Sequence, residues 1–476
     1  MICKDLINCS GPLADLPIND ITNDSRSVAE GCAFFCISGS ASDGHKYAAD
    51  AAAKGASVIV AEHDLGLPNQ VIVPDTHEAY SSACAAFFGN PADRLKLIGV
   101  TGTNGKTTVT YLLKSILEQL GHKVGLIGTI QNMIGDRIIE ARNTTPDAKE
   151  LHGLFRQMVD AGCDYAVMEV SSHALDQKRV WGLHFAAAIF TNLTQDHLDY
   201  HGTMDNYLHA KQLLFKMCDL AVINADDGYA DRITDGADCR TVTCSAQSNY
   251  ADYIAKGAVF RADGVNFELV GKDTLARVKA HTPGEFSVYN NMLAAVCVIE
   301  LGNSISDVCT ALSGTSGVKG RAEVVPTGRD FTVIIDYAHT PDGLENILHT
   351  MRGIKSGRLV VLFGCGGDRD SKKRPIMAQV AARLADYVIV TSDNPRTENP
   401  SRIIDDILVG MADTTTPYTV IENRAEAIKF AINNARRDDI IVLAGKGHET
   451  YQILNTGKIH FDEREVVRDA LAESAK

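Results

Sequence analysis

An apolar stretch, Leu97-Ile98-Gly99-Val100, runs into the turn Thr101-Gly102-Thr103-Asn104-Gly105-Lys106-Thr107-Thr108. No other segment limits the possible folds so strongly. Gly102 and Gly105 let backbone N–H groups curl around phosphate oxygens without a Cβ clash. Lys106 supplies a cation for the β- and γ-phosphates, and Thr107 offers a hydroxyl to Mg²⁺. Behind them Val109, Leu112, Leu113, Ile116, Leu117 and Leu120 recur at helical spacing as far as Gly121. A strand, a glycine loop and a helix N-terminus aimed at an anion make a phosphate-binding loop. The common form of this loop has glycine where this chain has Val100; Gly99 and Gly102 flank the position.

The 476 residues suffice for about three domains of ~100–200 residues each. Hydrophobic content of 45% and charged content of 22% are ordinary for a soluble globular protein. A net charge of −14 argues against nucleic acid or an anionic membrane as partner. It leaves phosphate ligands open, because loop amides and local cations hold those. The 12 cysteines form no C-x-x-C pair, which speaks against zinc and thioredoxin-like chemistry. Reduced, mostly buried thiols in a cytoplasmic protein are expected. Met1-Ile2-Cys3-Lys4-Asp5 does not open a signal peptide, and no apolar run reaches ~18 residues.

Apolar runs alternate with amphipathic segments through most of the chain. Candidate strands are Tyr165–Val170, Ala186–Thr191, Leu220–Asn224, Thr332–Asp336, Leu359–Phe363, Tyr387–Thr391 and Ile440–Ala444. The pattern predicts an α/β protein with mainly parallel sheets, buried on both faces. Turn-rich stretches near Phe88-Gly89-Asn90-Pro91 and Thr315–Pro326 divide it, so that residues 1 to about 92 can fold separately. Polar clusters follow the strands, where open α/β sheets bind ligands. They include Glu169-Val170-Ser171-Ser172-His173, Asp196-His197, Asp336-Tyr337-Ala338-His339, Asp393-Asn394-Pro395-Arg396 and Gly445-Lys446-Gly447-His448-Glu449.

Glu169 and His197 are reasonable ligands for a divalent cation beside the phosphates. The bland alternatives are a capping carboxylate and a satisfied loop histidine. Lys211 lies in an amphipathic helix and by itself reads as a solvated lysine. Gly-x-Ser-x-Gly is absent, so covalent serine catalysis is not indicated. Phosphoryl transfer needs positioning and charge neutralisation instead, and Lys106, Thr107, Glu169, His197 and Arg321 suit it. Arg369 and Arg396 would hold carboxylates and Glu449 an ammonium, which describes an amino acid site. Ordinary surface charge pairs are the alternative.

Taken together, Thr101–Thr108, Glu169–His173, Asn192 with Asp196-His197, Lys211, Asn290, Arg321 and Asp336–His339 resemble the Mur ligase family over essentially the whole chain. The displaced glycine at Val100 is that family's own loop form. The resemblance implies a small N-terminal UDP-binding α/β domain (1–92), a central P-loop ATPase-type parallel-sheet domain (93–322) and a C-terminal Rossmann-like α/β domain for the amino acid (323–476). It implies ATP contacts at Gly102, Thr103, Asn104, Gly105, Lys106, Thr107, Thr108, Asn290, Arg321, Asp336, Tyr337 and His339. Gly284–Asn290 matches the adenine side. Lys106, Lys211, Glu169 and His197 would be catalytic. Lys211 would be carbamylated by CO₂ and hold Mg²⁺ with Thr107, Glu169 and His197. Asp24-Ser25-Arg26 and Asp43-Gly44-His45 are similar to uridine-binding segments. Ser25, Asn143, Thr144, Thr145, Ser171, Gln177 and Arg179 would contact the UDP-sugar dipeptide.

Within the family the chain is similar to members adding the third residue of the peptidoglycan stem. Asp393-Asn394-Pro395-Arg396 separates relatives that add meso-diaminopimelate from those that add lysine. Diaminopimelate has a second carboxylate for an Arg fork; lysine would leave a buried Arg unpaired. By resemblance Arg369, Asp393, Asn394, Pro395, Arg396, Gly445 and Glu449 form that pocket. Asn423-Arg424 stands where relatives often have Asp-Arg, and no role follows for it. The implied reaction joins meso-diaminopimelate to UDP-MurNAc-L-Ala-D-Glu at the expense of ATP, with domain closure over an acyl phosphate. The expected protein is a cytoplasmic monomer with small-molecule partners only. Rival readings are folylpolyglutamate synthase, a nucleotide-dependent regulatory switch, and a binding protein without catalysis.

Overall fold

The computed structural model describes residues 1–39, 42–272, 274–315 and 317–473. Ser316, inside the second expected break, and residues 474–476 lie outside the described residues. Two compact units form, residues 1–254 with 293–308 and residues 255–292 with 309–476.

The first unit opens on a four-stranded parallel sheet, Asp20–Thr22, Cys32–Phe35, Val58–Ala61 and Gln70–Ile72 in that order. It is docked onto the rest of the unit through polar contacts around Asp147. That carboxylate accepts from Asn23 Nδ2 at 3.1 Å and Tyr80 OH at 3.0 Å. The larger sheet of this unit has Lys96–Thr101 at its centre, between Tyr165–Glu169 and Ala187–Phe190. Leu220–Asn224 and Arg240–Ser245 extend one side and Val124–Ile127 the other, all parallel. Both neighbours of the central strand come later in the chain, so a crevice opens at its carboxyl end. Leu97, Ile98 and Val100 are buried there, as a strand covered on both faces requires.

In the second unit the strands run Glu323–Val325, Thr332–Asp336, Ile440–Ala444, Leu359–Phe363, Tyr387–Val390 and Tyr418–Val420, parallel except the first. The carboxyl ends of the four middle strands carry the Asp336, Gly364, Asp393 and Gly445 segments. Arg424 and Glu463 are fully buried and pair at 2.7 Å, and Arg424 Nη2 donates to Ala444 O at 2.8 Å. Asn423 caps the helix Arg424–Asn433 by accepting from Ala425 N and Glu426 N. The motif left without a role is thus structural.

All seven expected strands are present, within one residue at each end. The antiparallel hairpins Gly264–Gly271 with Thr274–Ala280, and Tyr451–Leu454 with Gly457–His460, depart from the mainly parallel expectation. The second is mostly exposed and short, so it lacks the apolar run that marks a buried strand.

Candidate active site

Gly102 adopts φ +144° and Gly105 φ +88°, the conformations the loop needs to turn back on its strand. The helix Lys106–Gln119 then begins. Two residues of the neighbouring strand end clamp the loop. Asn192 Oδ1 accepts from Asn104 N at 2.9 Å, and Thr191 Oγ1 donates to Asn104 O at 2.6 Å. Lys106 Nζ donates to Gly102 O and Thr103 O at 2.9 and 2.8 Å.

Lys211 reaches the same loop from the helix Met204–Phe215. Its Nζ donates to Gly102 O at 2.9 Å and lies 4.5 Å from the centre of the Tyr207 ring. The residue is 1% exposed, so it is no solvated helix lysine. Burial, and secondarily the charge of Lys106, holds its pKa well below the usual lysine range. Thr107 Oγ1 lies 3.0 Å from both oxygens of Glu169, which also accept from Thr129 N and Thr129 Oγ1. His197 is half-exposed, at φ +52°, with its ring against His173 at 4.9 Å between centres. Thr107 and Glu169 are therefore adjacent, and a carboxylate with a hydroxyl is a donor set that suits Mg²⁺. Among the described residues no three His, Cys, Asp or Glu side chains converge on one point. A metal held here needs oxygen from another source, and Lys211 carries none unless modified.

A second concavity of about 230 Å³ lies in the same unit. Asn143, Gln177 and Arg179 line it, together with Asn23, His77 and Tyr80. Arg179 Nη1 donates to Thr145 O at 2.9 Å, and its Nε and Nη2 hold Gln177 Oε1. Thr145 Oγ1 donates to Glu169 O, and Ser171 caps the helix Ser172–Asp176. Thr144 Oγ1 is 3.0 Å from Thr129 Oγ1. This chain of contacts joins the cavity to the phosphate loop. Ser25 is not among the cavity-lining residues; its carbonyl accepts from Lys54 Nζ.

In the second unit Arg321 lies over the Tyr337 ring at 5.0 Å, and Tyr337 packs in tilted fashion against His339 and His448. Asp336 accepts from Ala322 N and Ala338 N, and burial raises its pKa. Burial also drives the His448 pKa down to about 4, so the ring is neutral near pH 7. Asn290 is buried in the helix Glu285–Glu300. Arg396 and Arg369 flank Gly366: a Cβ built there would stand 2.9 Å from Arg396 Nη1 and 3.9 Å from Arg369 Cγ. Arg369 is exposed, whereas Asp393 and Asn394 are buried. Asn394 Nδ2 donates to Glu449 Oε2 at 2.9 Å. A Cβ on Gly445 would sit 2.6 Å from Asp393 Oδ2.

Three family models match the chain: the Mur ligase family catalytic domain at 17–94, the Mur ligase middle domain at 100–298, and the Mur ligase glutamate ligase domain at 320–447. The chain belongs to the Mur ligase family. Among its curated relatives is the UDP-N-acetylmuramoyl-L-alanyl-D-glutamate--2,6-diaminopimelate ligase of Clostridium tetani, 47% identical over 96% of each chain. Ligase 1 of the same name from Clostridium acetobutylicum is 48% identical over 99% of this chain and 97% of its own. A solved structure of a UDP-N-acetylmuramoyl-L-alanyl-D-glutamate--2,6-diaminopimelate ligase is 33% identical, with TM-score 0.76 over 100% of this chain and 99% of that one.

In this Mur ligase the loop residues expected to hold phosphates come together, as do Thr107 with Glu169 and Arg369 with Arg396. Sequence reasoning missed Asn23, His77 and Tyr80 in the cavity, and Lys446 beside Glu449. A lysine between two glycines at a strand end was the only signal for Lys446. A Cβ at Gly102 would collide with Thr191 Oγ1. Gly102→Ala is therefore expected to raise the KM for ATP about tenfold or more. Steady-state kinetics would show it, and an unchanged KM would take the loop out of phosphate binding.

Proposed function

We propose that this Mur ligase joins meso-2,6-diaminopimelate to the D-Glu carboxylate of UDP-MurNAc-L-Ala-D-Glu, with ATP converted to ADP and phosphate. The observation that carries the reading is the pair of arginines flanking Gly366, with Glu449 held by Asn394. Two cationic forks and a carboxylate suit an amino acid with a carboxylate at its far end. The curated relatives' names agree with it.

A D-Glu carboxylate oxygen attacks the γ-phosphorus of ATP, and the bond to ADP breaks. The diaminopimelate amine then attacks the carbonyl carbon of the acyl phosphate, phosphate leaves, and the amine nitrogen gives up a proton as the amide forms. Lys106 and the loop N–H groups stabilise charge spreading over the transferred phosphoryl oxygens. Asn290, Arg321, Asp336, Tyr337 and His339 are assigned to ATP. Asn143, Thr144, Thr145, Ser171, Gln177, Arg179 and Ser25 are assigned to the UDP-sugar dipeptide. Thr107, Glu169, His197 and a carbamate on Lys211 would hold Mg²⁺, which supplies charge neutralisation at the phosphates. Burial lowers the Lys211 pKa and so favours the free amine, the form that would add CO₂ with loss of a proton. On the same reading the enzyme works in the cytoplasm as a monomer. Among the described residues no helix is long and apolar enough to cross a membrane.

Phosphate release with UDP-MurNAc-L-Ala-D-Glu and ATP–Mg²⁺ tests this, with meso-diaminopimelate or L-lysine added in turn. Release only with diaminopimelate, with a product heavier by that residue, is expected. Release with lysine alone would overturn the pocket assignment, and release with neither would overturn the ligase assignment.

A further inference from the structure

Lys446 is fully buried, which is costly for an ammonium unless it is well paired. Its Nζ donates to Asn394 Oδ1 at 3.0 Å and to Glu449 Oε2 at 2.9 Å, and lies 3.6 Å from Asp393 Oδ1. The aromatic rings of Tyr451 and Phe461 close the site, their centres 5.9 and 6.0 Å from Nζ. Each partner is itself tied down. Asn394 Oδ1 also accepts from Ile453 N at 2.9 Å, and its Nδ2 donates to Glu449 Oε2. The Asp393 carbonyl accepts from Gln452 Nε2 at 2.6 Å. Arg396 N donates to Ile453 O at 3.1 Å, so the same strand that fixes Asn394 fixes the start of Arg396.

This arrangement spends Glu449 Oε2 twice and leaves Oε1 without a hydrogen bond from the described residues. It also puts one positive charge among two carboxylates that would otherwise repel each other. Without that cation, Asn394 Oδ1 would lose a donor, and as Glu449 swung away from Asp393, Asn394 Nδ2 would lose its acceptor. The turn carrying Arg396 would loosen with it.

We infer that Lys446 is a positioning residue for the amine donor: it locks Glu449 and the Asp393–Asn394 turn together, so that Glu449 offers one oxygen to the donor's ammonium while Arg396 keeps its distance to the donor's far carboxylate. The inference rests on the diaminopimelate reading above. Lys446 touches no substrate; it acts through Glu449 and Asn394.

The test is a double-mutant cycle on the full chain with Lys446→Met, Glu449→Gln and the pair, read in steady-state kinetics for all three substrates. Lys446→Met is expected to raise the KM for meso-diaminopimelate about thirtyfold or more. The KM values for ATP and for UDP-MurNAc-L-Ala-D-Glu should stay within about twofold, because those substrates are assigned to other residues. In the Glu449→Gln background the second substitution should cost clearly less than in the wild type, since the Glu449 part of its action is already gone and only the Asn394 part remains. A diaminopimelate KM unchanged in Lys446→Met, with only a lowered melting temperature or kcat, would overturn the inference. So would fully additive losses in the pair. If Lys446→Met does not fold, Lys446→Gln, which keeps a donor group in the pocket, carries the same comparison with the same outcomes. Wild-type turnover indifferent to diaminopimelate would instead remove the proposed function, and it is read from the wild type alone.

Discussion

Lys106→Ala is expected to lower turnover by about 10²–10³-fold or more while the protein remains folded. Lys106 Nζ sits within 3 Å of two carbonyls of its own loop, Gly102 and Thr103, at the place where the phosphates would lie. Phosphoryl transfer asks the protein mainly for position and charge, so a missing cation removes stabilisation that no neighbour supplies in the same geometry. Lys211 shares Gly102 O, but it is proposed to carry a carbamate, an anion that cannot replace the missing cation. The folding cost should be small, on the order of 1 kcal/mol, because the side chain is partly exposed and packs into no core. Phosphate release and a thermal melt separate the two effects. Full activity in Lys106→Ala would sink the assignment of this loop to ATP. Lys106→Arg should rescue poorly, since a planar fork does not replace a compact ammonium.

Arg396→Ala should cut kcat/KM for meso-diaminopimelate about a hundredfold and leave any residual activity with L-lysine unchanged. The loss corresponds to about 2–3 kcal/mol for a charge-assisted carboxylate contact. Arg396 has φ +54°, and alanine is no worse there than arginine, so the backbone has no reason to move. Its Nη1 donates to Gly367 O at 2.8 Å, which fixes one edge of the guanidinium in the free protein. Pre-organisation of this kind would favour binding of a second carboxylate by the proposed arm. Competition assays with both diamino acids give the ratio directly. An unaltered ratio would mean that Arg396 does not read the far carboxylate.

The substrate loop and the polar segments at strand ends were legible because their signals are contiguous. Thr101–Thr108 carries its own turn chemistry, and the helix after it shows its period within four turns. Continuous runs such as Leu359–Phe363 mark strands buried on both faces. The antiparallel hairpins did not stand out because they lack the continuous apolar run of a doubly buried strand; Gly264–Gly271 instead alternates buried Val265, Phe267 and Leu269 with the more exposed Asn266 and Glu268. Nor was the cavity, since His77 and Tyr80 meet Gln177 and Arg179 only after about a hundred residues of intervening chain.

What this chain determined by itself is therefore local: a phosphate loop, parallel α/β layers and an Arg in the turn after the Tyr387–Val390 strand. Tertiary structure alone decided which charges lose their water. Lys211 looks solvated on its helix, yet it is buried against Gly102, 109 residues away. Arg424 pairs with Glu463 across 39 residues, and Lys446 with Asn394 across 52. Helical and strand periods report only neighbours within a turn or two, whereas desolvation depends on every element packed around a group.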